Sequence, residues 1–312
     1  MKRRDFLTSL LAGAIAAGSA AAQSARRKKT THHRPAAAVP SKLDRVGVST
    51  WSFRNYFEST REPGADPPGQ RLALLDFPEM IAERYKVRNL EFAAAHFPSL
   101  EPTYLKELKA NLVHAGSRLI NIPVDGKQIG GLSALDGAAR DSAIEAAKGW
   151  IDIAHQLGTR SIRCDPGDLD AEHLAATIES YRVLAAYGRG RGVAVLIEDQ
   201  GETGASYPEA LIQILRSVGG PFVGSLPDFG AFPNRQARDR GLPLLFEYAR
   251  TVCHARGLKL DSSGNETAFD FQQCVQIAKQ ARYHGVYSVE AEDSGDAYQN
   301  VQGVINELVR YL

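Results

Sequence analysis

Four residues of this sequence combine the side-chain types and the spacing of a metal-binding and proton-transfer centre. Glu198, Asp228, His254 and Glu290 lie at or near the ends of short apolar runs, within the segments LIED, SLPD, TVCHA and YSVE. The intervals between them are 30, 26 and 36 residues, each close to the length of one strand–helix unit. In a parallel barrel the carboxyl ends of all strands share one rim, so this spacing predicts that the four side chains converge.

Three carboxylates and an imidazole at one rim favour a bound cation. Carboxylates that converge without a cation repel one another and resist ionisation, and a divalent metal ion removes that repulsion. Oxygen ligands with a single imidazole suit Mn²⁺, Mg²⁺, Co²⁺ or Zn²⁺, so we expect one such ion. The alternative is that each residue caps its strand or supports a neighbour. That alternative explains one such position more simply than four in phase.

The elements that must position these residues follow from the alternation of apolar runs and amphipathic stretches. The predicted strands are residues 46–52, 88–93, 117–124, 160–164, 193–199, 221–228, 249–255 and 285–291. Helical patterns separate them, with Gly116 and Gly158 as predicted ends, and the sixth pattern, within residues 236–250, is the weakest. Eight such units predict a single (β/α)8 TIM barrel of the α/β class over residues 44–312. An open doubly wound sheet is the second possibility, but the segment after strand one lacks the glycine-rich fingerprint of those folds.

The first 43 residues differ in composition from the rest of the chain. A basic start, MKRRDFL, precedes the apolar stretch TSLLAGAIAAGSAAAQ, which predicts a signal peptide over residues 1–22. Arg3 and Arg4 resemble a twin-arginine signal, so we expect the twin-arginine export machinery to deliver the protein to the periplasm or the exterior. An ordinary secretory signal or an uncleaved anchor is the alternative, although the apolar run is short for a stable membrane span. Residues 23–43 predict a disordered basic linker.

The charge distribution argues against a nucleic-acid partner. Residues 1–43 hold nine Lys or Arg and one acid, so the net charge of +1 for the whole chain leaves −7 for residues 44–312. An acidic domain binds phosphate backbones poorly. Cys164, Cys253 and Cys274 fit no zinc motif, and either one disulfide or buried free thiols are expected.

Several longer segments carry a resemblance to a known family. They are GVSTWSF at strand one, LEFAAAHFPSLEPTYLKELK after strand two, WIDIAHQLGTRSIR into strand four, the motifs IED, LPDFG, HAR and VEAED, and GNETAFDF with YHGVYSVE. In this order they resemble the xylose isomerase-like barrel superfamily, in its sugar phosphate isomerase/epimerase branch. The resemblance implies that the strand-end residues bind one divalent metal ion, and that Glu198 and Glu290 also shuttle a proton. The implied ligands are Glu198, Asp228, His254 and Glu290.

The chain departs from the family pattern beside three of these motifs. Asp199 and Gln200 stand where relatives often carry Asn-His, Ala231 stands where many have Asn or His, and Arg256 stands where Lys is commoner. These positions surround the substrate more than the metal, so the identity of the substrate stays open.

Six residues are candidates for contacts with the substrate. They are Trp51, Glu91, His96, Arg163, Arg256 and Lys259. Trp51 could stack on a sugar ring or belong to the core. Arg163 could bind an anionic group or bridge to carboxylates, and His96 could meet a sugar hydroxyl or be a loop residue.

These features together predict a metal-dependent isomerase or epimerase of a sugar or sugar derivative. The metal would polarise the carbonyl, a glutamate would remove the carbon-bound proton, and the reaction would pass through a cis-enediolate. One alternative is a metal-dependent sugar dehydratase, lyase or hydrolase, in which the same intermediate expels a hydroxyl group. A second alternative is a non-catalytic sugar-binding barrel.

Overall fold

Eight parallel strands form the centre of the barrel. The computed structural model describes residues 41–64, 71–199, 208–256, 270–291 and 296–312. The strands are β1 (Val46–Ser49), β2 (Asn89–Glu91), β3 (Arg118–Val124), β4 (Ser161–Cys164), β5 (Ala194–Glu198), β6 (Val223–Leu226), β7 (Val252–Arg256) and β8 (Val286–Glu290). Strands β1 to β6 pair in chain order, and β8 pairs with both β1 and β7. All eight predicted strands are confirmed, and the fold is a single (β/α)8 TIM barrel.

Helices alternate with the strands along the chain. They are α1 (Phe77–Tyr85), α2 (Pro102–His114), the short α3 (Gly126–Ile129), α4 (Gly137–Leu157), α5 (Leu174–Arg191), α6 (Pro208–Val218), α7 (Arg235–Phe246), α8 (Phe271–Gln280) and α9 (Ala297–Tyr311). Short 3-10 helices cover Lys42–Arg45, Thr50–Tyr56 and Ala94–His96. The main apolar core contains side chains of both strands and helices, as expected when amphipathic helices bury one face against a sheet.

Local sequence sets the ends of these helices. The Asp136 side chain accepts a hydrogen bond from the Ala139 amide at 2.7 Å at the start of α4, and the helix ends at Gly158 in the left-handed conformation, with φ 88°. Asn234 accepts from the Ala237 amide at 2.9 Å at the start of α7. A capping side chain therefore fixes the start of the helix whose apolar pattern was weakest.

The barrel closes between β6 and β7 through two isolated bridges. One joins Ser225 to Ala249, and the other joins Asp228 to His254. Pro227 has no N–H to donate, but its carbonyl accepts from the His254 amide at 2.8 Å. This seam holds Asp228 beside His254 at the carboxyl ends of the strands.

The first strand ends sooner than the sequence predicted. The prediction carried it to Ser52, but β1 ends at Ser49 and a 3-10 helix follows. The Ser49 hydroxyl accepts a hydrogen bond from the Trp51 amide at 3.2 Å, which favours the turn over further extended chain. Trp51 therefore lies beyond the strand instead of at its end.

Three further sequence predictions concern the chain's environment. The three cysteines are buried and free, which leaves no disulfide among them. Within the described residues, no helix has both the length and the apolar character needed to span a bilayer. The predicted signal peptide and nearly all of the predicted linker lie outside the described residues.

Candidate active site

The four predicted ligands meet at the carboxyl-terminal rim of the barrel. Glu198 is the last residue of β5 and Glu290 the last of β8, while His254 lies in β7 and Asp228 lies two residues beyond β6. All four are buried, with Asp228 and His254 fully inaccessible. The possible ligand atoms of Glu198, Asp228 and His254 lie within 4.8 Å of one another. The strand-end spacing thus brings these side chains together.

His254 is the centre of the cluster. Its Nδ1 lies 2.6 Å from Glu198 Oε1, and its Nε2 lies 2.7 Å from Glu91 Oε1 and 3.6 Å from Glu290 Oε1. Burial disfavours a charged imidazole, but the carboxylates of Glu290, Glu91 and Glu198 outweigh it and raise the pKa of His254 well above its usual range. Each ring nitrogen therefore lies within hydrogen-bond distance of a different carboxylate.

Glu91 belongs to the same cluster, although the sequence placed it only among the substrate contacts. It forms a second group of possible ligands with His254 and Glu290, again within 4.8 Å, and Asn121 Nδ2 donates to its Oε2 at 3.4 Å. Its position in the sequence could have indicated this, because Glu91 is the last residue of β2 just as Glu290 is the last residue of β8. A carboxylate behind a ligating histidine is a common arrangement, because it orients the ring.

Arg256 lies among the predicted ligands. Its Nε and Nη2 donate to Asp228 Oδ2 at 2.8 and 2.5 Å, and Nη2 lies 3.2 Å from Glu290 Oε2. Gly230 permits this position, because a Cβ there would lie only 2.4 Å from Arg256 Cδ. The glycine of the DFG segment is therefore required by the arginine stem that packs on it.

A second arginine, Arg163 on β4, holds the other side of the cluster. Its Nη1 donates to Asp125 Oδ1 at 2.5 Å, and its Nε lies 2.8 Å from Glu198 Oε2. The second contact is an ion pair without hydrogen-bond alignment, since Glu198 Oε2 is buried with no hydrogen-bond partner. Arg163 therefore bridges carboxylates, which was one of the two roles expected for it.

The two glutamates differ in their electrostatic surroundings. For Glu198, burial favours the neutral acid, but His254 and Arg163 prevail and lower the pKa to about 2. For Glu290, burial dominates and raises the pKa to about 7 against the pull of His254 and Arg256. Two carboxyl groups of unlike acidity in one site are the pattern of a base paired with an acid.

Trp51 and His96 form an aromatic stack with Phe57 beside this cluster. Ring centroids are 5.9 Å apart for Trp51 and His96, and 4.1 Å apart for His96 and Phe57. His96 Nδ1 lies 2.8 Å from Thr50 Oγ1, and Nε2 lies 2.9 Å from Thr60 Oγ1. Burial lowers the pKa of His96 to about 3. The ring is thus neutral and supports Trp51 from behind, while its predicted contact with substrate stays a prediction.

Two neighbouring cavities lie at this end of the barrel, and the inner one reaches the cluster. The inner one, of about 40 Å³, is lined by Trp51, Ala93, Pro123, Asp125, Arg163, Glu198, Arg256 and Glu290. The outer one, of about 720 Å³, shares Trp51 and Asp125 with it. Five of the predicted substrate or catalytic residues therefore face the same small space: Trp51, Arg163, Arg256 and the two glutamates. Lys259 and Gln200 lie outside the described residues.

The donor set fits a hard divalent cation. Three carboxylates and one imidazole come from β5 to β8, and Glu198 Oε2 is a buried oxygen with no hydrogen-bond partner. Two arginines already neutralise part of this negative charge. Arg256 pairs with Asp228 and Glu290, and Arg163 pairs with Glu198. A metal ion at these residues therefore competes with Arg256 for Asp228.

The fold and the rim define a class: a parallel (β/α)8 barrel with a buried carboxylate–histidine cluster at its carboxyl-terminal end. The family model described as xylose isomerase-like TIM barrel matches residues 81–311, and the chain belongs to that family. Among curated proteins, no sequence matches this chain.

Solved structures share the fold at low sequence identity. D-psicose 3-epimerase with D-tagatose from Clostridium cellulolyticum H10 is 17% identical with a TM-score of 0.63, covering 86% of this chain and 95% of its own. A xylose isomerase-like barrel protein from Mycobacterium smegmatis in complex with magnesium is 15% identical with a TM-score of 0.61, covering 88% and 100%. A probable 3-DHS dehydratase involved in petrobactin synthesis from Bacillus anthracis is 14% identical with a TM-score of 0.61, covering 85% and 98%.

Proposed function

We propose that this protein is a divalent-metal-dependent isomerase or epimerase that acts on a sugar or sugar derivative. The observation that carries the proposal is the convergence of Glu198 and Glu290, from opposite sides of His254, on one small cavity. Two carboxyl groups that face one reacting carbon can remove and return its proton. The fold similarity to a D-psicose 3-epimerase supports this choice of chemistry.

The proposed reaction assigns metal binding and proton transfer to the four rim residues. Glu198, Asp228, His254 and Glu290 would hold the metal, which supplies charge stabilisation for a carbonyl and its neighbouring hydroxyl when bound. Glu198 is ionised and lines the cavity, so it is the residue that accepts a carbon-bound proton. Glu290 lines the same cavity and delivers a proton to the neighbouring carbon or the opposite face.

Neighbouring residues keep both glutamates in place. Arg163 holds Glu198 and is itself fixed by Asp125. Glu91 accepts from His254 Nε2, which orients the imidazole so that Nδ1 faces Glu198. Because Arg163, Glu91 and His254 are buried, the reacting groups are held in a fixed geometry before substrate arrives.

The direct test is exchange of carbon-bound hydrogen in D₂O. The metal-loaded protein is incubated with a panel of aldoses and ketoses, and we expect deuterium at the carbon next to the carbonyl. Glu198→Gln and Glu290→Gln should each lower the exchange rate by about 10²–10⁴-fold, because each removes a proton-transfer group. Glu145→Gln, an exposed change on α4, is the matched control and should leave the rate unchanged.

The outcomes separate this proposal from its alternatives. Retained exchange in both Gln variants would contradict the two-glutamate mechanism. Loss of water from the sugar would indicate a dehydratase, for which the fold similarity to a dehydratase provides a precedent. Metal binding without exchange for any sugar would indicate a sugar-binding barrel. We also propose, from residues 1–22 alone, that the protein acts after export.

A further inference from the structure

We propose that the outer cavity is a subsite for a second, uncharged sugar ring. The substrate of the protein is then a glycoside or an oligosaccharide, not a free monosaccharide or a sugar phosphate. The assignment of the reacting ring rests on the proposed function. The assignment of the subsite for the second ring rests on the size, lining and charge of the outer cavity.

The sizes of the two cavities point to a substrate with two parts. The inner cavity, of about 40 Å³, is far smaller than a site that encloses a whole drug-sized ligand. The outer cavity, of about 720 Å³, lies within the range of about 300–1,000 Å³ typical of sites that enclose drug-sized ligands. The inner space therefore admits the reacting atoms alone, and the outer space has room for more than the remainder of one ring.

The two cavities are neighbours that share part of their wall. Trp51 and Asp125 line both, so a ligand in the outer cavity touches the wall of the inner one. Two hydrogen bonds fix Asp125. Arg163 Nη1 donates to its carboxylate at 2.5 Å, and its backbone amide donates to Gln128 Oε1 at 3.1 Å. A fixed carboxylate between the cavities can accept hydrogen bonds from the hydroxyl groups of a bound sugar.

The aromatic wall of the outer cavity is rigid. Trp51 is backed by His96, which is backed in turn by Phe57 with an interplanar angle of 11°. His96 is locked between two threonine hydroxyls, so the indole cannot retreat into the core. A supported indole offers a large apolar face with little loss of conformational entropy on binding, which suits the C–H face of a sugar ring.

The charged groups of the outer cavity disfavour an anionic ligand. Among the described lining residues, the acids Glu62 and Asp165 face the bases Arg61 and Lys127, and the third acid, Asp125, is already paired with Arg163, so the lining carries no net positive charge. A phosphate dianion therefore finds no excess positive charge to bind it, whereas neutral hydroxyl groups can donate to the carboxylates. The lining therefore selects a polyhydroxylated, uncharged group.

The test is a comparison of binding constants by isothermal titration calorimetry. Wild-type protein, with Mn²⁺ and separately with EDTA, is titrated with cellobiose, maltose, lactose, glucose and glucose 6-phosphate. We expect at least one disaccharide to bind about tenfold more tightly than glucose, a difference of about 1.4 kcal/mol, and glucose 6-phosphate to bind no more tightly than glucose. The preference should persist with EDTA, because the outer cavity contains none of the proposed metal ligands.

Three variants locate the binding. Trp51→Ala and Asp165→Asn should each abolish the preference for the disaccharide. Asp168→Asn, which makes the same change at an exposed residue outside the cavity lining, should retain it.

Failure of the subsite and failure of the proposed function give different results. Equal binding of glucose and every disaccharide, no binding of any probe, or tighter binding of glucose 6-phosphate would overturn the subsite. Deuterium exchange with monosaccharides but no preference for disaccharides would also overturn it while supporting the isomerase. A disaccharide preference that depends on Trp51 and Asp165, without exchange, would support the subsite and contradict the isomerase.

Discussion

Replacement of Arg256 by methionine is expected to raise the affinity of the site for divalent metal ions. Arg256 donates two hydrogen bonds to Asp228 Oδ2 and lies 3.2 Å from Glu290 Oε2, so it neutralises two of the four proposed ligands. A cation that binds Asp228 must share this oxygen or displace the guanidinium. Methionine keeps an unbranched apolar stem and removes the charge.

The contacts set the size of the effect. A hydrogen bond to a charged group contributes about 1.5–3 kcal/mol net, and metal binding in the wild type gives up at least one such bond. Removing that competition should lower the dissociation constant for Mn²⁺ roughly 10–150-fold. The metal-free variant should at the same time lose stability, because Asp228 is left buried without its partner. The Arg256 side chain is 27% exposed, so solvent screening places that loss at or below the lower end of the usual 3–5 kcal/mol.

Calorimetry with Mn²⁺ and thermal unfolding with and without EDTA measure the two effects together. In Arg256→Met the metal should raise the melting temperature by more than in the wild type, because the ion replaces the lost counter-charge. Gly230→Ala should act in the same direction, since its Cβ would displace the Arg256 stem while keeping the charge. Arg240→Met, at an exposed arginine on α7, is the matched control and should change neither quantity. Unchanged or weaker Mn²⁺ binding in a folded Arg256→Met protein would refute the competition.

Three further predictions address the metal ligands, export of the protein and the buried His96. Asp228→Ala and His254→Ala should each lower the metal content of the purified protein sharply, and wild-type content in both by elemental analysis would contradict the ligand assignment. Replacement of Arg3 and Arg4 by lysine should block export of the folded protein, as followed in cell fractions; unchanged export would indicate a general secretory signal. The pKa of His96 is about 3 in the folded protein, against 6.5 when unfolded. Between these values only the unfolded state binds the proton, so the contribution of His96 to the free energy of unfolding falls by about 1.4 kcal/mol for each unit by which the pH is lowered. The loss of unfolding free energy due to His96 is about 2 kcal/mol at pH 5. In chemical denaturation, the stability of His96→Gln should fall less steeply with decreasing pH than that of the wild type, and an identical slope would refute this prediction.

Most of the fold was predictable because its signals are local. Each strand is a short apolar run and each helix an amphipathic stretch, so parallel order follows from their alternation along the chain. The end of β1 was predicted too late, because one hydrogen bond from the Trp51 amide to Ser49 Oγ ends a run that is apolar in sequence up to that point. The helix α7 was predicted from the weakest apolar pattern of the series, because its start depends on the Asn234 cap.

The sequence by itself determined which residues reach the rim. Strand ends in a parallel barrel all point to one face, so spacing along the chain was enough to place Glu198, Asp228, His254 and Glu290 together. Only the tertiary structure decided how those residues are paired. Arg256 lies on Asp228, 28 positions away, and Glu91 lies on His254, 163 positions away. Such pairs depend on side-chain directions across the barrel and on the room left by Gly230, and no local pattern in the chain encodes a distance between residues so far apart.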